Sequence, residues 1–214
     1  MNTWIKICGI TSVPDGEIAL EAGADALGFV FYKDSARYVT PDEASIIVSI
    51  MPPEVAKVGV FVNEPIDTLV SIAKETEIDT LQLHGDEDEA YLEELLRLLP
   101  DSRVLKVIKV RDEADIEKIK EFPANTFLLD TFSDISHGGA GETFDWGIAL
   151  KAKELGRVIL AGGLTPDNIT DALRTVRPYG VDVSTGVEKS PGKKDREKIK
   201  NFIDRIRDFD KAAG

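Results

Sequence analysis

The stretch "RVILAGGLTPDNITDALRTVRPYGVDVSTG" (residues 157–186) contains two short apolar runs separated by a segment with helical periodicity. The runs cover 157–162 and 181–186, and the segment between them covers 165–176. Thr165 suits a helix N-cap and Pro166 suits the first helical position, so we expect the helix to begin there. Two strands joined through a helix predict a right-handed crossover and parallel pairing.

The same alternation extends over the rest of the chain. Six further apolar runs, rich in β-branched residues, predict strands at 3–8, 25–32, 56–63, 80–85, 103–110 and 126–130. Their near-continuous apolar character is typical of parallel strands that are covered on both faces. The segments between them are charge-rich and amphipathic, and helices are expected among others at 41–51, 86–99 and 195–209.

Eight strand-then-helix units in 214 residues predict a single (β/α)₈ barrel, a TIM barrel, that occupies residues 1–214 as one domain. No Pro-, Gly- or Ser-rich linker and no change in composition divides the chain. A doubly wound open sheet is the alternative architecture.

Composition excludes several classes of function. The formal net charge is −13 and the isoelectric point is near 4.7, which argues against a protein that binds nucleic acid or an anionic membrane. Cys8 is the only cysteine and there are two histidines, so we expect no disulfide and no metal site. Neither a signal segment nor an apolar run of about 18 residues is found, and we expect a cytoplasmic protein.

In a barrel of this kind, function resides where the strands end. Polar residues collect at those positions, and they include Cys8, Gln82, His84, Asp130, Asp182 and Ser184. Two glycine-bearing turns follow the last two strands, with Gly162 and Gly163 in one and Ser184, Thr185 and Gly186 in the other. Backbone N–H groups in such turns bind phosphate without a basic surface, so we expect a phosphate there.

Several motifs together resemble the phosphoribosylanthranilate isomerase family of tryptophan biosynthesis, over essentially the whole length of the chain. They are KICGIT (6–11), GADALGFVFY (23–32), SARYV (35–39), VGVFVN (58–63), LQLHGDE (81–87), LLDT (128–131), GGAGETFDW (138–146), LAGGL (160–164) and VDVSTGVEKSPGKKD (181–195). The resemblance implies an Amadori rearrangement of N-(5-phosphoribosyl)anthranilate to 1-(2-carboxyphenylamino)-1-deoxyribulose 5-phosphate, with no cofactor.

The resemblance also implies roles for individual residues. Cys8 would be the general base and Asp130 the general acid. Arg37 would pair with the anthranilate carboxylate, Gln82 and His84 would line the substrate pocket, and Asp182 would orient its neighbours there. Gly139 and Gly141 would belong to a loop that closes over the substrate and helps to bind its phosphate.

The proposed chemistry requires two pKa changes. The pKa of Asp130 should be raised by burial, and the pKa of Cys8 should be lowered by positive surroundings. Lys6 lies two residues before Cys8, on the same face of the strand, and either supports the thiolate or has a structural role. Two positions depart from the common family pattern, namely Ala140 in the glycine loop and Thr185 after the eighth strand.

Two alternatives remain at this stage. One is another phosphate-binding barrel of tryptophan or histidine biosynthesis, such as indole-3-glycerol-phosphate synthase or the aminoaldose isomerase of the histidine pathway. The other is a non-catalytic phosphosugar-binding module. The expected partner is a small phosphosugar substrate, with no nucleic acid and no membrane, for a protein that is a monomer or a homodimer.

Overall fold

The computed structural model describes residues 2–131 and 145–213, and its centre is a closed barrel of eight parallel strands paired in the order β1 to β8. The strands are β1 (Trp4–Cys8), β2 (Ala26–Val30), β3 (Ala56–Phe61), β4 (Thr80–Leu83), β5 (Arg103–Val110), β6 (Thr126–Thr131), β7 (Arg157–Leu160) and β8 (Gly180–Val183). Pairing of β1 with β8 closes the ring. The barrel prediction is therefore confirmed, and the open-sheet alternative is wrong.

Helices surround the barrel between successive strands. They are α1 (Val13–Ala22), α2 (Pro41–Val48), α3 (Ile66–Thr76), α4 (Glu89–Leu98), α5 (Glu113–Glu117), α6 (Trp146–Ala152), α7 (Ile169–Val176) and α8 (Arg196–Ala213). Short 3₁₀ turns follow α5 (Lys118–Glu121) and β8 (Thr185–Val187). A two-stranded antiparallel hairpin, β9 (Glu188–Ser190) and β10 (Lys193–Lys194), lies between β8 and α8.

Local sequence accounts for several helix starts. Thr40 and Glu43 form a reciprocal capping box at the start of α2, where Pro41 takes the first helical position. The predicted start of α7 is wrong, because the helix begins at Ile169 rather than near Thr165. Asn168 accepts from the N–H of Thr165 at 2.8 Å and donates to the carbonyl of Gly163 at 2.9 Å, which holds 165–168 as a separate turn.

The core has two main parts. The larger part lies between the barrel and the helices, and includes Ile5, Ile7, Leu27 and Phe29. The smaller part fills the barrel, because its residues alternate with outward-facing residues along the strands: Ala26, Ala56, Val58, Leu105, Val107, Leu128, Ile159 and Ala161. This plug supports the side chains that lie above it at the carboxyl ends of the strands.

In the described part of the chain, none of the helices has both the length and the apolar composition needed to cross a membrane.

Candidate active site

A pocket opens at the carboxyl ends of the barrel strands. It is lined by Cys8, Val30, Tyr32, Ser35, Arg37, Val60, Val62, Gln82, His84, Asp130, Ala161, Gly162, Gly163, Leu164, Asp182, Val183, Ser184 and Thr185. Ten of these positions were singled out from sequence. Gly186 was also predicted but does not line the pocket. The predicted residues Gly139 and Gly141 lie outside the described residues.

Cys8 lies beside a buried ion pair inside the barrel. The Lys6 ammonium, which is fully buried, donates to Asp182 Oδ1 at 2.9 Å. Lys6 and Asp182 are register partners on the neighbouring strands β1 and β8, so the pair forms across one ladder. Gly28 on β2 makes room for it, because a Cβ there would lie 2.9 Å from both Cys8 Sγ and Lys6 Cε.

The expectation that positive surroundings lower the pKa of Cys8 is wrong. Burial raises the pKa of the thiol and outweighs the opposing effect of the Lys6 charge, while the Asp182 carboxylate raises it further. Burial disfavours the charged form of Lys6, but Asp182 and Cys8 together raise its pKa above the usual value. The pocket therefore combines a protonated thiol with a cation that remains charged beside it.

Asp130 lies at the end of β6, with β7 and β8 between it and the strand of Cys8. Its Oδ1 accepts from the N–H of Thr131 at 2.8 Å, and its Oδ2 lies 3.3 Å from Nε2 of His84. The other ring nitrogen of His84 lies 3.3 Å from the side-chain amide nitrogen of Gln82. Gln82 on β4 and His84 just after it thus form a row that ends at Asp130.

Two polar atoms at this pocket, Gln82 Oε1 and Ser184 Oγ, are buried without a hydrogen-bond partner in the described part of the chain, while His84 Nε2 has the Asp130 carboxylate 3.3 Å away. Leaving such atoms unpaired is costly, commonly about 1–3 kcal/mol each. Their convergence on one cavity is typical of a site that a polar ligand completes.

The two glycine turns lie together at one side of the pocket. Gly162 and Gly163 have φ of +78° and +64°, a region that favours glycine, and a Cβ on Gly162 would lie 2.3 Å from Thr131 Oγ1. Within residues 2–131 and 145–213, the backbone N–H groups of Gly162, Gly163 and Ser184 donate to no other residue. A Cβ on Gly186 would lie 1.9 Å from the carbonyl oxygen of Leu164, so this glycine permits the two turns to approach.

Arg37 also lines the pocket, and it is held by Glu188, a residue that the sequence did not suggest. Its Nε and Nη2 donate to the two carboxylate oxygens of Glu188, both at 2.8 Å. Lys194, with a fully buried side chain, donates to the same carboxylate at 3.0 Å and to the carbonyl of Ser184 at 3.2 Å. One edge of the Arg37 guanidinium is therefore already hydrogen-bonded before any ligand binds.

Sequence reasoning missed Gly28, Glu188 and Lys194. A glycine within an apolar strand run can indicate the close approach of another group, and Gly28 in GADALGFVFY has that pattern. No group of three or more potential metal ligands occurs among the residues that the structure describes. What these residues offer is a thiol, a carboxyl group, anion-binding amides and a cation, which suit proton transfer on a phosphorylated ligand.

Comparison with known proteins points to one family. The sequence model of the family described as "N-(5'phosphoribosyl)anthranilate (PRA) isomerase" matches residues 5–205. A protein of Geobacter metallireducens named N-(5'-phosphoribosyl)anthranilate isomerase is 50% identical over 203 residues, which is 95% of this chain and 98% of that protein. A Pelobacter propionicus protein of the same name is 48% identical, and the match covers 93% of each chain.

Solved structures agree with the sequence matches. Phosphoribosyl anthranilate isomerase from Thermotoga maritima superposes with a TM-score of 0.88 at 40% identity, covering 96% of this chain and 99% of that one. A further phosphoribosyl anthranilate isomerase was crystallised with reduced 1-(o-carboxyphenylamino)-1-deoxyribulose 5-phosphate. It superposes with a TM-score of 0.85 at 38% identity, again over 96% and 99% of the two chains.

Proposed function

The chain belongs to the family of N-(5'-phosphoribosyl)anthranilate isomerases, and we propose that Cys8 is the general base and Asp130 the general acid of its reaction. The reaction is a step of tryptophan biosynthesis. It converts the aminoaldose N-(5-phosphoribosyl)anthranilate into the aminoketose 1-(2-carboxyphenylamino)-1-deoxyribulose 5-phosphate.

The rearrangement begins with opening of the sugar ring. Asp130, in its acid form, donates a proton to the ring oxygen as the bond from that oxygen to C1′ breaks. The lone pair of the anthranilate nitrogen forms a C=N bond to C1′, which leaves a cationic imine.

Cys8 then acts as the base. Its thiol first releases a proton to solvent, and the resulting thiolate removes the proton from C2′. The electrons of that C–H bond form a C=C bond that neutralises the imine. The resulting enolamine gains a proton at C1′ and loses the proton of the C2′ hydroxyl, giving the ketone. Cys8 and Asp130 return to their starting protonation states through solvent.

The observation that carries this proposal is that Cys8 and Asp130 line one pocket whose remaining walls suit the rest of the substrate. The turns of Gly162, Gly163 and Ser184 offer backbone amides to the phosphate. Gln82 offers an unpaired amide oxygen to the sugar, and His84 lies beside Asp130 at 3.3 Å. The Lys6 ammonium favours the thiolate once the thiol has lost its proton, which is a direct role for this lysine.

The test is the decay of anthranilate fluorescence when the protein is added to freshly prepared phosphoribosylanthranilate. We expect Cys8→Ala and Asp130→Asn each to lower kcat by about 10²–10⁴-fold, the range typical of one proton-transfer group. KM should change little, because neither residue holds the phosphate or the carboxylate. The losses should not multiply in the double variant.

Tyr179→Phe, near the opposite end of the barrel, is the control and should keep the wild-type rate. A Cys8→Ala enzyme with near wild-type kcat would reduce Cys8 to a packing residue.

A further inference from the structure

The hairpin β9–β10 is a conspicuous segment without a role in the chemistry above. It belongs to the motif VEKSPGKKD (187–195) and lies outside the barrel ring. Yet Glu188 and Lys194, at its two ends, are buried and point to the pocket wall formed by Arg37 and Ser184.

The hairpin is fastened to the segment that carries Arg37. The hydroxyl of Thr11 donates to the carbonyl of Gly192 in the hairpin turn at 2.6 Å. Gly192 has φ of +73°, and a Cβ there would lie 2.7 Å from the carbonyl oxygen of Ala36. Close packing of this turn against residue 36 fixes the distance between Glu188 and the Arg37 side chain.

Glu188 binds one edge of the Arg37 guanidinium and leaves the other edge without a partner among the described residues. A guanidinium has five N–H donors. Two of them, one on Nε and one on Nη2, bind the Glu188 carboxylate. The others, both on Nη1 and one on Nη2, have no partner among the described residues, and Arg37 lines the pocket. This remaining edge has the geometry to bind a second carboxylate through two parallel hydrogen bonds.

Arg37 and Lys194 both favour the ionised form of Glu188. Burial alone would raise the pKa of Glu188, but Arg37 and Lys194 hold it below the usual value. Glu188 neutralises only one of the two cations that it contacts, and burial lowers the pKa of Lys194, so the three side chains together carry at most one excess positive charge beside the pocket. An anionic ligand group is the natural complement of that charge.

We propose that Glu188 and Lys194 are positioning residues that hold Arg37 with one guanidinium edge turned to the substrate, and so select an arylamine that carries a carboxylate. The proposal rests on the function proposed above. A free arginine must lose side-chain entropy when it binds a ligand. An arginine that is already fixed by Glu188 has lost that freedom before the substrate arrives.

The experiment compares two substrates on each enzyme preparation: N-(5-phosphoribosyl)anthranilate and N-(5-phosphoribosyl)aniline, which lacks the carboxylate. The variants are Glu188→Gln, which keeps the shape and removes the charge, Lys194→Met and Arg37→Lys. Lys193→Met is the matched control, because Lys193 lies in the same hairpin with an exposed side chain. Product is measured by chromatography, and each result is the ratio of kcat/KM for the two substrates.

We expect Glu188→Gln to lower the ratio by about tenfold, mainly through KM of the anthranilate substrate, as expected for loss of one charge-assisted contact. Lys194→Met should lower it less, Arg37→Lys at least as much, and Lys193→Met should not change it. The ratio is independent of the fraction of folded enzyme, so a destabilised variant still reports. A fall in activity on both substrates with an unchanged ratio would overturn the proposal by making the hairpin purely structural.

The two proposals fail in different ways. Wild-type protein that does not isomerise phosphoribosylanthranilate would refute the catalytic proposal. Wild-type protein that isomerises it, but whose substrate ratio is the same in Arg37→Lys and Glu188→Gln as in wild type, would refute only the carboxylate-positioning proposal.

Discussion

Replacement of Lys6 by methionine tests the electrostatic support of the proposed base. Lys6 Nζ is fully buried, donates to Asp182 at 2.9 Å and favours the thiolate of Cys8. Methionine approximates the length of the side chain and removes the charge. We expect the pKa of Cys8, already raised by burial, to rise further, because the largest effect that opposes burial is lost.

The expected magnitude follows from the contact that is removed. A hydrogen bond to a charged group contributes about 1.5–3 kcal/mol, so the population of thiolate at neutral pH should fall by about 10–100-fold. Alkylation by iodoacetamide measures that population, since Cys8 is the only cysteine and the thiolate is the reactive form. The alkylation rate should fall by the same factor, and the alkaline rise of kcat/KM should move to higher pH.

Three further variants test the direction of the predicted change in the pKa of Cys8. Asp182 raises the pKa of Cys8, so Asp182→Asn should move the thiol titration in the opposite direction to Lys6→Met. Lys194 lowers it less than Lys6 does, so Lys194→Met should slow alkylation to a smaller extent, and Lys193→Met should not. Unfolding of Lys6→Met must be measured alongside, because a lone buried carboxylate costs about 3–5 kcal/mol. A folded Lys6→Met protein that alkylates as fast as wild type would refute the reasoning.

Three further predictions concern the phosphate, metals and stability. Gly163→Val, at a residue with φ of +64°, should raise KM for the phosphorylated substrate more than it lowers kcat; an unchanged KM would place the phosphate elsewhere. Activity should survive exhaustive EDTA treatment, and a loss that added metal restores would contradict the acid–base scheme. Asp210→Ala removes two bonds from Thr3, at 2.7 and 2.8 Å, and should lower the free energy of unfolding by about 1–3 kcal/mol in urea titrations. Its kcat should equal that of wild type, because Asp210 does not line the pocket.

The barrel was predictable because its information is local and repeated. Each apolar run is short, β-branched and bounded by polar residues, and parallel strands covered on both faces need little more. Strand ends were less predictable, and the run predicted at 25–32 is a strand only over Ala26–Val30. The start of α7 could not be read from its capping residues, since Asn168 bonds backward to Thr165 and Gly163 instead.

Contacts between distant residues could not be predicted. Arg37 and Glu188 are 151 residues apart, and nothing near either residue indicates the other. The predicted direction of the Cys8 pKa change was wrong for a related reason. The pKa of this thiol is set by a competition between burial and nearby charge, and burial depends on all the elements that surround the thiol. The strand-end residues could be predicted to lie together because barrel topology alone brings those ends to one side.

The apolar residues that fill the barrel also determine how substrate and product reach the site. Ala26, Val58, Leu128 and Ile159 fill the interior beneath Cys8 and Asp182, so the described residues leave no passage through the barrel. Substrate and product therefore compete for the same pocket at the carboxyl ends of the strands. The aminoketose should inhibit its own formation competitively, and turnover at high product concentration should be limited by the rate of product release.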